Sequence, residues 1–223
     1  MAKKVFISAG HGGSEPGAVA NGFKEKDLNL AIALACNAEL ARHGVTTLMS
    51  RTKDEDDSLR EEIKECNAFA PDLAVSIHNN AGGGDGAEAF HHHGGGTGKT
   101  LAVNILDEIK KVGQNSRGAK TRTEGGVDYY GFIRETAAPA VIVECAFVDN
   151  KDDIKIIDTA AEQKAMGVAI AKGILKTLGI TYKAEEAPKP VTKTSHAVQI
   201  IFDNKEDAEA VLYALRRAGI VAV

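Results

Sequence analysis

A chain of 223 residues has room for one large hydrophobic core and a small appendage. Hydrophobic residues make up 43% and charged residues 26%, a globular balance that excludes disordered and fibrous classes. The net charge of −4 lacks the basic footprint of a nucleic-acid binder, and no apolar run reaches the length of a membrane span.

The opening Met1-Ala2-Lys3-Lys4 passes straight into a strand-like stretch rather than an apolar signal segment. The expectation is synthesis in the cytoplasm without an export signal. Val5-Phe6-Ile7 is β-prone, and Gly10-His11-Gly12-Gly13 then breaks the strand, placing a histidine at its end. From Glu25 onward, Leu28, Ala31, Ile32, Ala35 and Leu40 recur with helical spacing up to a stop at His43-Gly44. Residues 45–49 read as a strand, 55–69 as a polar-faced helix, and 73–77 as a strand ending in His78. A glycine loop at 82–86 leads to a strand over 87–92 and a helix over 101–112. Ala140 to Val143 suits a strand buried on both faces and ends in Glu144; one or two helices close the region over 154–178.

Strands alternating with helices predict an α/β fold over residues 1–180, with a mostly parallel sheet flanked by helices. A linker follows over 181–194, rich in charge and proline. Residues 195–223 read as a small β-α-β module. Ligands of such sheets bind outside the carboxyl ends of the strands, where His11, His78 and Glu144 all fall.

Cys36, Cys66 and Cys145 are too few and too scattered for a disulfide framework or a cysteine-rich metal knuckle, and read as small buried hydrophobes. Any metal must then be held by imidazole and carboxylate. His11, Glu25 and His78 supply two of one and one of the other, a donor set suited to catalytic zinc. Spacing alone leaves other roles open: a histidine can be structural, and a carboxylate at a helix N-terminus is favoured by the helix dipole. For His91-His92-His93, strand alternation puts His91 and His93 on one face; a cleft rim is the favoured reading and a second metal site the alternative. Asn79, Asn80 and Arg134 are candidate substrate contacts near the same cleft.

Four segments carry a resemblance: SAGHGGSEPGA at 8–18, KEKDLNLAIAL at 24–34, SIHNNA at 76–81 and PAVIVECAFVDN at 139–150. Together, and in this order, they resemble the zinc-dependent cell-wall amidases of the Amidase_3 family. The resemblance implies that His11, Glu25 and His78 bind Zn2+ and that Glu144 is the catalytic carboxylate. It implies hydrolysis of the amide between N-acetylmuramic acid and L-alanine in peptidoglycan. A zinc peptidase acting on the stem peptide and a non-catalytic wall-binding protein are the rival readings. Ser8-Ala9 stands where the family more often has Asp-Pro, and Ala146 where glycine is common; neither position carries a ligand.

Residues 195–223 resemble half of a SPOR-type peptidoglycan-binding domain. Val198, Ile200 and Phe202 share one strand face while Ile201 leaves the other partly apolar, so pairing with a second copy in a homodimer is expected. A wall-cutting enzyme with no export segment and an attached wall-binding element resembles a bacteriophage endolysin. It would act on the wall after release from the cytoplasm; a host autolysin or sporulation lysin is the nearest alternative.

Overall fold

Alternating burial builds the sheet. In the computed structural model, which describes residues 2–185, β1 (Lys4–Ala9) sends Val5, Ile7 and Ala9 to one side and Phe6 and Ser8 to the other. The remaining strands are β2 (Val19–Ala20), β3 (Phe23–Lys24), β4 (Thr46–Met49), β5 (Leu73–Asn80), β6 (Ala87–His91), β7 (Ser116–Lys120), β8 (Thr123–Glu124), β9 (Val127–Asp128) and β10 (Ala140–Phe147). The helices are α1 (Glu25–Arg42), α2 (Leu59–Phe69), α3 (Gly96–Ile109), α4 (Gly131–Glu135) and α5 (Ala160–Thr177).

Six strands form one sheet in the order β4-β1-β5-β10-β6-β7, with β10 inserted between β5 and β6. All neighbours run parallel except the antiparallel pair β6 and β10. The mostly parallel α/β expectation holds. Helices α1, α3 and α5 cover one face, where Leu28, Ile32, Ile105, Ile170 and Ile174 meet Val5, Ile7, Val75, Val141 and Val143. Burying each such side chain contributes about 1.5–3 kcal/mol. Phe6, Ala74 and Ile142 face the opposite way, against Cys66 of α2 and Phe132 and Ile133 of α4.

Several boundaries moved. The helix expected over 55–69 begins at Leu59, because the Ser58 hydroxyl accepts the Glu61 N–H and caps it there. Strands β5 and β10 run on past Ile77 and Val143, so His78 and Glu144 lie within strands rather than after them. Strand β6 ends at His91, which leaves His92 outside the alternation expected of it. Strand β7 is mostly polar, and the strands of the two small hairpins, β2–β3 and β8–β9, are two residues each, too short to be read from pattern.

The three cysteines are free and buried, as expected. No helix among the described residues is long and apolar enough to cross a membrane. Met1–Lys183 forms one compact unit. The expected module over 195–223, its dimer and most of the linker lie outside the described residues.

Candidate active site

The site stands at the carboxyl ends of β1, β5 and β10. Past Ala9 the chain keeps pairing, since Gly10 N–H donates to the Ile77 carbonyl at 3.0 Å. It then turns sharply at His11, whose φ of 59° is unusual for a residue with a side chain. Arg51, 2% exposed, holds that turn: its guanidinium donates to the carbonyls of Ala9, Gly10, Lys26 and Lys53 at 2.8–3.2 Å. Gly10 is required by crowding, because a Cβ there would sit 2.1 Å from the His78 ring. Gly17, at φ +64°, leaves space that a Cβ would take from Glu25 Oε2 and the His11 ring.

Helix α1 starts without a side-chain cap on Lys24. Loop carbonyls serve instead: Ala18 accepts the Glu25 N–H at 2.8 Å and Pro16 the Lys26 N–H at 3.1 Å. The loop carrying His11 is thereby docked on the helix that carries Glu25.

Glu25 is the hub. Its Oε2 lies 3.3 Å from His11 Nε2 and its Oε1 3.0 Å from His78 Nδ1. The two imidazoles meet edge to face at 5.1 Å between centroids. Behind the carboxylate, Ala18 N–H donates to Oε2 at 2.9 Å, and Asn29 Nδ2 and the Asn79 N–H to Oε1 at 3.2 Å. Burial opposes ionisation of Glu25, but hydrogen bonds from His11 and His78 outweigh it and hold the carboxyl well below the usual range. Burial works against charge on His78 as well, yet the Glu25 hydrogen bond and the nearby charges of Glu144 and Glu62 raise its pKa.

One donor atom from each of His11, Glu25 and His78 falls within 4.8 Å of the others. Ligands at about 2.0–2.1 Å around tetrahedral zinc are separated by roughly 3.3 Å, and each imidazole already lies 3.0 or 3.3 Å from one of the two Glu25 carboxylate oxygens. The chemistry of the set agrees: two imidazoles, one carboxylate and a side open to solvent at His11.

Glu144 stands opposite His78 in the β5–β10 register and opposite Glu88 on β6. Strand alternation aims it to the α2/α4 face with Ile142 and His78. It has no hydrogen-bond partner among the described residues. Burial pushes its carboxyl up to about 7, His78 pulling back against the nearby charges of Glu25 and Glu88. Glu88 is spoken for: Arg117 and Lys120 pair with it at 2.7 and 2.5 Å.

In front of these groups lies a cleft of about 280 Å³, with Leu59, Tyr130, Phe132 and Ile142 as apolar wall and Asp57 and Glu62 on its acidic side. Of the expected substrate contacts, Asn80 is half-buried and donates to Glu88 at 3.1 Å. Asn79 is 1% exposed and donates to Asn29, so it supports Glu25 rather than facing the cleft. Arg134 is exposed and donates to the carbonyls of Asp128 and Tyr129.

Sequence reasoning missed Arg51, Asn29 and the Asp57–Glu62 pair. Asn29 was findable, lying one helical turn after Glu25 on the same face. Nothing local marks Arg51 or Glu62; both are defined by segments far away in the chain.

The Amidase_3 family profile, N-acetylmuramoyl-L-alanine amidase, matches residues 5–176. The N-acetylmuramoyl-L-alanine amidase CwlM of Bacillus licheniformis is 38% identical over 82% of this chain and 74% of its own. The endolysin of Bacillus phage SPP1 is 32% identical over 98% of this chain and 82% of its own. Among solved structures, Cwp6 from Clostridium difficile superposes with a TM-score of 0.78 and 40% identity, over 80% of this chain and 30% of that one. By the span of the family match and the identity to CwlM, the chain belongs to the Amidase_3 family of N-acetylmuramoyl-L-alanine amidases.

Proposed function

We propose that the chain hydrolyses the amide between N-acetylmuramic acid and L-alanine in peptidoglycan, with zinc held by His11, Glu25 and His78 and with Glu144 as proton carrier. The observation that carries this reading is the pairing of a converged His/Glu/His set with an unengaged, half-buried carboxylate beside it. When bound there, zinc supplies a Lewis acid that polarises the scissile carbonyl and brings a water toward a pKa of about 7.

The protein's own groups do the rest. Glu25 and the imidazoles fix the donor geometry, and Asn29, Asn79 and Arg51 keep that geometry from relaxing. Glu144 accepts a proton from the attacking water. It returns that proton to the amide nitrogen as the C–N bond breaks, so L-alanine leaves as a free amine and the sugar keeps a carboxylate. A carboxyl pKa near neutrality suits both transfers. Asn80 and Arg134 are the substrate contacts in this reading.

Digestion of purified cell wall with and without a chelator tests the assignment. New L-alanine amino termini that vanish on chelation and return with zinc support it. New reducing sugar ends, new amino termini from within the stem peptide alone, or binding without cleavage would overturn it.

The biological setting that best fits is phage lysis, supported by the similarity to the SPP1 endolysin over 98% of this chain, against 82% for CwlM. Residues 195–223 then direct the enzyme to the wall, as a SPOR-like half that pairs with a second copy. Comparing the full chain with one ending after Glu185, by size and by sedimentation with insoluble wall, tests this role. Equal size and equal wall binding would remove it.

A further inference from the structure

Outside the Glu25 site, one other group of side chains among the described residues converges like metal ligands: His92, His93 and Asp128. His92 and His93 follow directly on β6, and Asp128 closes the small hairpin β8–β9. His92 Nε2 lies 3.1 Å and His93 Nδ1 2.9 Å from the same oxygen, Asp128 Oδ2. The two rings stack at 4.5 Å, and their side chains remain about half exposed. These edges match those of the Glu25 set, at 3.0 and 3.3 Å.

Charge points the same way. Asp128 is 3% exposed, and among the described residues no lysine or arginine pairs with its carboxylate; Arg134 reaches only its backbone carbonyl. A buried carboxylate needs a compensating positive charge. Neutral imidazoles provide hydrogen bonds but no net charge, whereas a divalent cation provides both charge and coordination. The carboxylate is also oriented for the task, since the His93 N–H donates to its other oxygen at 2.9 Å. Binding has one identifiable cost: Gly94 N–H donates to His92 Nδ1 at 3.0 Å, and that nitrogen must carry a proton once Nε2 is a ligand. The contact is exposed, so water replaces it readily.

We propose that His92, His93 and Asp128 form a second zinc site, separate from the Glu25 set, with an outer position left to water. Its place in the fold gives it a structural role. Asp128 immediately precedes Tyr129 and Tyr130, and Tyr130 lines the catalytic cleft. A metal clip joining β6 to the β8–β9 hairpin fastens that wall of the cleft.

Zinc counting on the full chain, stripped by chelator and then titrated with zinc alone, tests the proposal independently of catalysis. The unaltered chain is expected to take up two equivalents. His11→Ala is expected to keep one, and zinc should still raise its melting temperature in proportion to the logarithm of its concentration. Asp128→Asn and the double variant His92→Ala/His93→Ala should each lose one equivalent while keeping the first. Asp128→Asn retains the shape and the bond from the His93 N–H; should it nevertheless misfold, the half-exposed histidine pair decides the matter. A single equivalent in the unaltered chain, or two equivalents persisting in the histidine double variant, would overturn the second site.

Discussion

Glu144 and His78 are direct neighbours in the parallel register between β10 and β5, and both project to the sheet face that α2 and α4 cover. The proposed proton carrier thus stands one strand away from a proposed metal ligand. Glu144→Gln should therefore retain fold and stoichiometric zinc at the Glu25 site but lose about 10²–10⁴-fold in turnover, the usual worth of positioned proton transfer. Release of L-alanine amino termini, with metal content measured on the same sample, checks it. Near-normal hydrolysis would remove Glu144 from the reaction.

The ligands should behave differently. His78→Ala removes an imidazole that sits 3.0 Å from Glu25, so zinc occupancy itself should fall along with activity, and added zinc should restore neither fully. Full occupancy at the Glu25 site in both His11→Ala and His78→Ala would refute the ligand assignment.

Gly10→Ala probes the crowding beneath His78. The new Cβ would meet the imidazole at 2.1 Å, so either the ring or the Gly10 backbone must shift. Zinc affinity should fall by more than about tenfold, because a ligand displaced by a fraction of an ångström no longer meets the tetrahedral geometry. Calorimetric titration of zinc into the variant checks this, with unaltered affinity as the contrary result.

Glu62 offers a pH signature. Burial, then the neighbouring charge of Asp57, pushes its carboxyl from 4.5 up to about 7, despite a hydrogen bond from Ser8. Between those values the folded chain holds a proton that the unfolded chain releases. Stability therefore falls as pH rises through that window. Glu62→Gln should flatten the fall and be more stable than the parent above about pH 7, by on the order of 1–3 kcal/mol. Melting temperatures of metal-free protein across this range decide it; parallel curves for parent and variant would count against the buried-proton account.

The layout of the site was legible where chemistry and periodicity coincide. His11, His78 and Glu144 follow apolar strand runs, and Glu25 opens a helix with regular apolar spacing, so each announced both its element and its end of the sheet. What stayed hidden depends on tertiary position. Arg51 looks like any surface arginine until four carbonyls from three segments close around it. The His91 to His93 triplet misled for a local reason: strand β6 stops at His91, so the pair that meets is His92 with His93.

The insertion of β10 between β5 and β6 has a consequence for synthesis. A nascent chain grown only through β7 already contains His11, Glu25 and His78, yet β5 still presents a bare edge where its neighbour belongs. Closing that gap requires a strand from much later in the chain, a slow, long-range pairing. His11, Glu25 and His78 are thus translated well before Glu144. On the proposed assignment, products ending short of Glu144 would carry the donor set and an open strand edge without the group that moves the proton.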